Sequence, residues 1–498
     1  MAENPQSTPL IAPTSASRTV LAGYAHTGSS QAVRAILLLG STIILARLLS
    51  PEDFGVVAMA APVLALLLLF QDLGLSAATV QAKSITDEQS NTIFWVTFIL
   101  STSLASLLVV ASPLVGSFYD DARVGYVTAA YGGILLLTST ALQPTALLSR
   151  RLAFRVIGRI VIVSASANFA ATVICAFLLA NYWAIVLGNL AGAAVQLGLT
   201  WKMQPWRPRR RFVLRGAGSI LRFGGSVAAF DLLNFLSRNA DNILIGRYWG
   251  AGPLGFYERS YSLMMAPLQL VSGPIARVML PVLSRLQEEP QRYNQAYLSS
   301  LGGLLLATMP VAALAIATSE QLVSLLLGSR WSAAAPIFFW LAIGCLYQPL
   351  GSSLGLLFTS TGRGRALFQW GLFSSATTVL SFVVGLQWGP VGVAKAYIIA
   401  GLLRLPVLVI WATRTTPVRA IDVYAIFLPL VAAALATVAV LHALMIFMHP
   451  TGVVVLGLPL AYGLAAAIVW TTPRGRRLLQ TTYDTARSLV FARLRSAV

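Results

Sequence analysis

Only 10% of the 498 residues are charged and 57% are hydrophobic, against roughly 25% charged in a soluble globular protein. A chain so apolar has no surface to present to water, so soluble enzymes and soluble binding modules are excluded and the lipid bilayer remains as its solvent. The net charge of +19 sits in short loops between apolar runs, which points to membrane topology and away from nucleic acid as a partner.

The first 28 residues are rich in Ser, Thr, Ala and Pro and lack the apolar core of a signal peptide, so they are expected to form a cytoplasmic tail. A bilayer-spanning helix takes about 20 apolar residues, and on that length the chain divides into about fourteen spans. The first six fall at 29–48, 56–80, 92–116, 124–148, 156–180 and 182–202. The next six fall at 222–247, 257–284, 296–318, 333–358, 365–388 and 390–412, and two more follow at 421–446 and 452–471. With the N-terminus in the cytoplasm, loops after even-numbered helices carry Lys83, Arg150, Arg151, Arg155, the 202–215 cluster, Arg285, Arg292, Arg363, Arg365, Arg414 and Arg419. Loops after odd-numbered helices carry only Arg47, Arg123, Arg247, Arg259 and Arg330, several beside acids such as Glu52, Asp120 and Glu258. That alternation is the positive-inside pattern, and it places both termini in the cytoplasm.

A basic linker, 203–221, separates an N-lobe (29–202) from a C-lobe (222–412); helices thirteen and fourteen (413–472) read as an appendage and 473–498 as a cytoplasmic tail. Within the linker, Arg207-Pro208-Arg209-Arg210-Arg211 reads as a loop lying on anionic membrane lipids. Shifting the chain by 200 residues sets Ile43 on Ile243, Arg47 on Arg247 and Gly55 on Gly255, in the pattern I-x-x-x-R-x(7)-G. Six crossings is an even number, so the repeats are expected to be parallel, about an axis along the membrane normal. The expected fold class is an all-α polytopic membrane protein with two parallel six-helix lobes and two C-terminal helices. Lobes of this kind around a central cleft are an architecture of alternating-access transport.

Polar residues at bilayer depth mark where such a cleft would lie. In helix seven Asp231, Asn234, Arg238 and Asp241 follow at helical spacing and share one face. Helix one repeats the register with Gln31, Arg34 and Ser41, while Leu38 takes the place of Arg238. A charge at this depth costs about 2.5–3.5 kcal/mol even on the lenient insertion scale, so the stripe must face water or protein. Arg277 in helix eight and Arg404 in helix twelve lie on the order of 12 and 15 Å inside the membrane boundary; snorkelling to the surface is an equal alternative for Arg277 and a poorer one for Arg404. Arginine pairs bidentately with phosphate and stays charged when desolvated. A cleft richer in arginine than in acid therefore points to an anionic, phosphate-bearing substrate. Arg34, Arg238, Arg277 and Arg404, with Gln31 and Asn234, are the expected substrate-binding residues. Asp231 and Asp241 are expected either to pair with arginines or to couple transport to ions.

No G-x-x-x-x-G-K-[ST] loop occurs, which excludes ATP hydrolysis of the Walker type. His26, His442 and His449 are scattered, so no metal site, no cofactor and no catalytic residue is expected. Cys175 and Cys345 lie in apolar segments and read as packing residues. The pairs Gly188–Gly192 and Gly351–Gly355 are expected to let helices approach closely.

The stretch Ala46-Arg47-Leu48-Leu49-Ser50-Pro51-Glu52-Asp53-Phe54-Gly55 resembles the first periplasmic turn of Wzx-type polysaccharide flippases of the multidrug/oligosaccharidyl-lipid/polysaccharide (MOP) superfamily. Phe70-Gln71-Asp72-Leu73-Gly74-Leu75 is similar in the same way, and Asn239 to Arg247 with Gly255-Phe256-Tyr257 looks like the second-half counterpart. The resemblance covers about residues 20–472 in helix order. It implies a V-shaped fold related to MATE transporters. It also implies flipping of undecaprenyl-diphosphate-linked oligosaccharide across the bacterial inner membrane for exopolysaccharide or lipopolysaccharide biosynthesis, beside a polymerase and export machinery. A lipid II flippase, a multidrug/cation antiporter of the same superfamily and a membrane-embedded glycan transferase are the alternatives; the antiporter would favour an acidic cavity.

Overall fold

The computed structural model describes residues 40–209 and 237–480, apart from 73, 83, 415, 474, 477 and 478, together with 37 and 235. Gln31, Arg34, Asp231 and Asn234, and most of the basic linker, lie outside the described residues. Every regular element among the described residues is helical. In chain order α1 is described over 40–48 and is followed by α2 (Pro51–Asp72), α3 (Leu75–Gln81), α4 (Asp87–Tyr119), α5 (Ala122–Arg150), α6 (Phe154–Leu179) and α7 (Trp183–Met203). Next, α8 is described over 237–249, followed by α9 (Ala251–Arg285), α10 (Pro290–Ala317), α11 (Ser319–Leu327) and α12 (Ala335–Ser360). The chain ends in α13 (Gly364–Gly385), α14 (Gly389–Thr413), α15 (Ala420–Phe447) and α16 (Pro450–Trp470).

Eleven helical segments among the described residues are long and apolar enough to cross a bilayer, and one of them, Gly364–Thr413, joins α13 and α14. The division expected between 365–388 and 390–412 is made by a 3-10 turn, Leu386–Trp388, and by Gly389 at φ 70°. The described parts of α1 and α8 are too short to count as crossings, so a total of fourteen rests in part on the hydropathy of the sequence.

Helix two departs from the expectation of one continuous span over 56–80. It breaks at Gly74, where φ is 72°, a left-handed conformation that costs glycine nothing. The Asp72 carboxylate then accepts from the Ser76 backbone N–H at 3.0 Å and its hydroxyl at 2.6 Å, and so caps α3. At the other end of α3 the Arg150 guanidinium donates to the Thr79 carbonyl at 3.1 Å, the expected place for a cation at a helix C-terminus.

Helix packing repeats from one half to the other. In the first half α2 packs on α4 and α5, α4 on α5, α6 on α7, and α5 on α7; in the second α9 packs on α10 and α12, α10 on α12, α13 on α14, and α12 on α14. The duplication seen as three matched residues is thus a duplication of the whole packing scheme. The halves meet along α2 and α9, while α15 and α16 pack outside the scheme against α10. Gly188 does admit close packing, since a Cβ there would overlap Thr172 across the α6–α7 contact. Gly355 does not, contrary to expectation: a Cβ there would meet nothing within 4 Å.

Candidate functional site

The two matched hairpins face one another and close one end of the molecule. Pro51 opens α2 where its missing N–H is harmless. Ser50 and Asp53 form a reciprocal cap, with the Ser50 N–H donating to the Asp53 carboxylate at 3.0 Å and the Asp53 N–H to the Ser50 hydroxyl at 3.2 Å. The second Asp53 oxygen accepts from the Tyr182 N–H at 2.9 Å, fixing this turn to the start of α7. A Cβ on Gly55 would overlap the carbonyl of Ala251, and a Cβ on Gly255 would overlap the carbonyl of Pro51. Pro51 and Ala251 are themselves 200 residues apart, so this crossing has the reciprocity of a two-fold contact.

The matched arginines repeat that symmetry. Arg47 donates to the Leu325 carbonyl of α11 at 2.8 Å, and Arg247 pairs with Asp120, at the end of α4, at 2.9 Å. Each arginine crosses to the opposite half. The buried Trp331 indole adds a hydrogen bond to the Ala46 carbonyl at 2.7 Å and packs its ring edge-on against Phe54 and Phe256. Arg259 lies over Phe54, 4.4 Å from the ring centroid. At the rim Arg123 joins Glu52 at 2.6 Å and Asp121 at 2.8 Å. Hydrogen bonding by Arg123 holds the Asp121 carboxyl below the usual carboxylate range.

Beneath this seal the C-lobe gathers several of the expected polar residues. Asp241 is buried and accepts from the Tyr257 hydroxyl at 2.9 Å and from the Asn242 N–H at 2.9 Å. Its side-chain partner is a phenol and, among the described residues, no arginine pairs with it. Arg238, one helical turn earlier, is exposed, so the two do not share one environment despite their spacing. The structure thus separates Arg238 from Asp241 and sets Arg404 on α14. Arg404 donates to the Ser374 carbonyl and the Thr377 hydroxyl at 2.7 Å and to the Thr378 hydroxyl at 2.6 Å, all on α13. Arg277 stands apart: it is exposed on α9, and its Nε reaches the Gly273 carbonyl of its own helix at 3.3 Å. None of these three arginines forms an ion pair among the described residues.

Two further features escaped the sequence reading. In the N-lobe, buried Gln71 donates to the Leu135 carbonyl at 2.7 Å, and Thr79 donates to Gln143 at 3.1 Å. These contacts join the broken second helix to α5, and a neutral glutamine in an apolar run carries no charge signal to announce them. In the C-lobe, Lys395 lies 5.4 Å from the centroid of the Trp340 ring. Its place near the start of α14 hid it among interfacial cations.

Residues 44–336 match the family described as "Polysaccharide biosynthesis protein". The chain is 27% identical to the teichuronic acid biosynthesis protein TuaB of Bacillus subtilis (strain 168), over 60% of this chain and 62% of that protein. It is 23% identical to the lipopolysaccharide biosynthesis protein WzxC of Escherichia coli (strain K12), over 75% and 77% of the two chains. Among solved structures, the lipid II flippase MurJ in an inward closed conformation superimposes with a TM-score of 0.74 at 15% identity, covering 89% of this chain and 98% of that one. The fold is similar to that of MurJ.

Proposed function

This chain belongs to the polysaccharide biosynthesis protein family, and on that premise we propose that it is a transporter that flips undecaprenyl-diphosphate-linked oligosaccharide from the cytoplasmic to the periplasmic leaflet. The observation that carries this reading is Arg404, held at bilayer depth by the Ser374 carbonyl and the Thr377 and Thr378 hydroxyls with no carboxylate partner among the described residues. Guanidinium groups of this kind suit a diphosphate, since the planar fork binds phosphate oxygens in pairs and keeps its charge at low dielectric. Asp241, bonded to Tyr257, is left to the ion-coupling role. The lobes that rock in this cycle are 29–202 and 222–412, and the protein is a multi-pass integral membrane protein.

The loops poorest in cations lie at the sealed end, which by the positive-inside pattern is periplasmic. Both termini are then cytoplasmic, the membrane is the bacterial inner membrane, and the described conformation is closed to the periplasm. Alternating access follows if the contacts across Gly55 and Gly255 open as the cytoplasmic end closes. Polysaccharide polymerase and export machinery are the partners that would take the product.

The test is mass spectrometry of lipid-linked glycans in a deletion strain, complemented in turn by wild type, Arg238→Ala and Arg404→Ala. Accumulation of a polyprenyl-diphosphate oligosaccharide, relieved by wild type and by neither variant, is the expected outcome. Normal polymer output from both variants would remove the arginines from the site, and no accumulated glycan in the deletion strain would end the flippase reading. The shared fold with MurJ keeps lipid II flipping as a second reading, which peptide-bearing glycan in the same spectra would select.

A further inference from the structure

A groove of about 810 Å³ lies between α12, α13 and α14 and extends well beyond Arg404. Arg404 and Lys395 both line it, with Trp340, Thr377, Ser381 and Trp388 among the other lining residues. The remaining walls are apolar, and two of them, Leu380 and Leu403, are 62% and 73% exposed.

Neither cation meets a carboxylate among the described residues. Arg404 is oriented by a carbonyl and two hydroxyls, all uncharged. Lys395 rests against the Trp340 ring, which orients an ammonium without cancelling its charge. An ionisable residue kept at bilayer depth is a functional-site signal. The partner of Arg404 and Lys395 is an anion with an apolar body, because the same groove offers two cations and a wall of hydrocarbon.

Position along α14 adds a direction. Trp249, at the sealed end, donates to the Leu386 carbonyl at 2.9 Å and packs on Gly389, so α14 begins at that end. Lys395 is about 9 Å along the helix from Gly389, and Arg404 about 13 Å farther. The two cations therefore stand at successive depths along α14, and a head group moving along the groove meets one before the other.

We propose that this groove holds the diphosphate end of a polyprenyl lipid, with Arg404 as a mid-membrane station and Lys395 as a second station nearer the sealed end. The proposal rests on the flippase reading and adds to it a residue, a route and the order in which the route is travelled.

The experiment measures binding of undecaprenyl diphosphate to the purified full-length protein in nanodiscs by native mass spectrometry. Neutral undecaprenol, inorganic pyrophosphate and phosphatidylglycerol serve as comparison ligands. The wild type should hold the diphosphate lipid in preference to all three. Lys395→Ala and Arg404→Ala should each weaken it about tenfold, the loss of one charge-assisted contact. Lys395→Arg should stay within about threefold, because the charge is kept. Lys395→Gln repeats the test should the alanine variant fail to fold. Wild-type affinity in Lys395→Ala or Lys395→Gln overturns the proposal. So does equal retention of undecaprenol, or displacement of the diphosphate lipid by an equal amount of phosphatidylglycerol, which would make the groove a seat for bulk lipid. Failure here alongside glycan accumulation in the deletion strain would discard the groove and keep the flippase; absence of that accumulation would discard the flippase itself.

Discussion

Replacing Gly255 with alanine tests whether the crossing of α2 and α9 is what holds the sealed end shut. The added Cβ would overlap the carbonyl of Pro51, more than about 1 Å inside the roughly 3.3 Å of an ordinary C···O contact. A backbone carbonyl cannot rotate away as a flexible side chain can, so the helices must separate. Overpacking of this kind costs about 1–3 kcal/mol, and because the strain exists only while the helices touch, it falls on the closed conformation. A bias of that size shifts a two-state equilibrium about 5- to 150-fold. Gly55→Ala should match it, since its Cβ would overlap the symmetry-related carbonyl of Ala251. Gly252→Ala, on the same helix with nothing within 4 Å of its Cβ, is the control. The assay is double electron–electron resonance between labels at Ala122→Cys and Ser329→Cys, exposed positions on opposite lobes at this end, with Cys175 and Cys345 replaced. Longer label distances are expected for Gly255→Ala and Gly55→Ala, and wild-type distances for Gly252→Ala. Unchanged distances in both test variants would refute the close crossing as the determinant of closure.

Two other outcomes follow from contacts around the same seal. Tyr257→Phe leaves the buried Asp241 carboxylate with one partner fewer and should lower stability by about 1–3 kcal/mol, read as a fall in melting temperature in detergent. Adding Asp241→Asn should be clearly non-additive with it, and full additivity would mean the bond contributes nothing. Asp121, held below the usual carboxylate range by Arg123, contributes stability above its unfolded value of about 3.9. That contribution is lost only as pH falls through the lowered folded value. The melting difference between wild type and Asp121→Asn should therefore be constant from about pH 7 to 5 and shrink below about pH 4; a difference already gone at about pH 6 would contradict the Arg123 contact as its source.

By itself the sequence determined the solvent, the approximate helix positions and the two hairpins that matter, because hydropathy, loop charge and a 200-residue repeat are properties of the chain alone. It also marked Gly55 and Gly255 as equivalent and placed Arg238, Asp241 and Arg404 at depth. Only the tertiary structure decided what those residues touch. Asp241 and Arg238 lie one helical turn apart, yet one is buried against Tyr257 and the other is exposed. Helical period assigns an angle around an axis, whereas the neighbour met at that angle depends on how α8 and α9 cross. For the same reason a Cβ on Gly188 would overlap Thr172 while one on Gly355 would meet nothing within 4 Å among the described residues, although both sit in small-residue pairs. Lys395 joined Arg404 in one groove only once α12 and α13 had been folded against α14, since burial and cavity shape are set by the partners of a helix and not by its own residues.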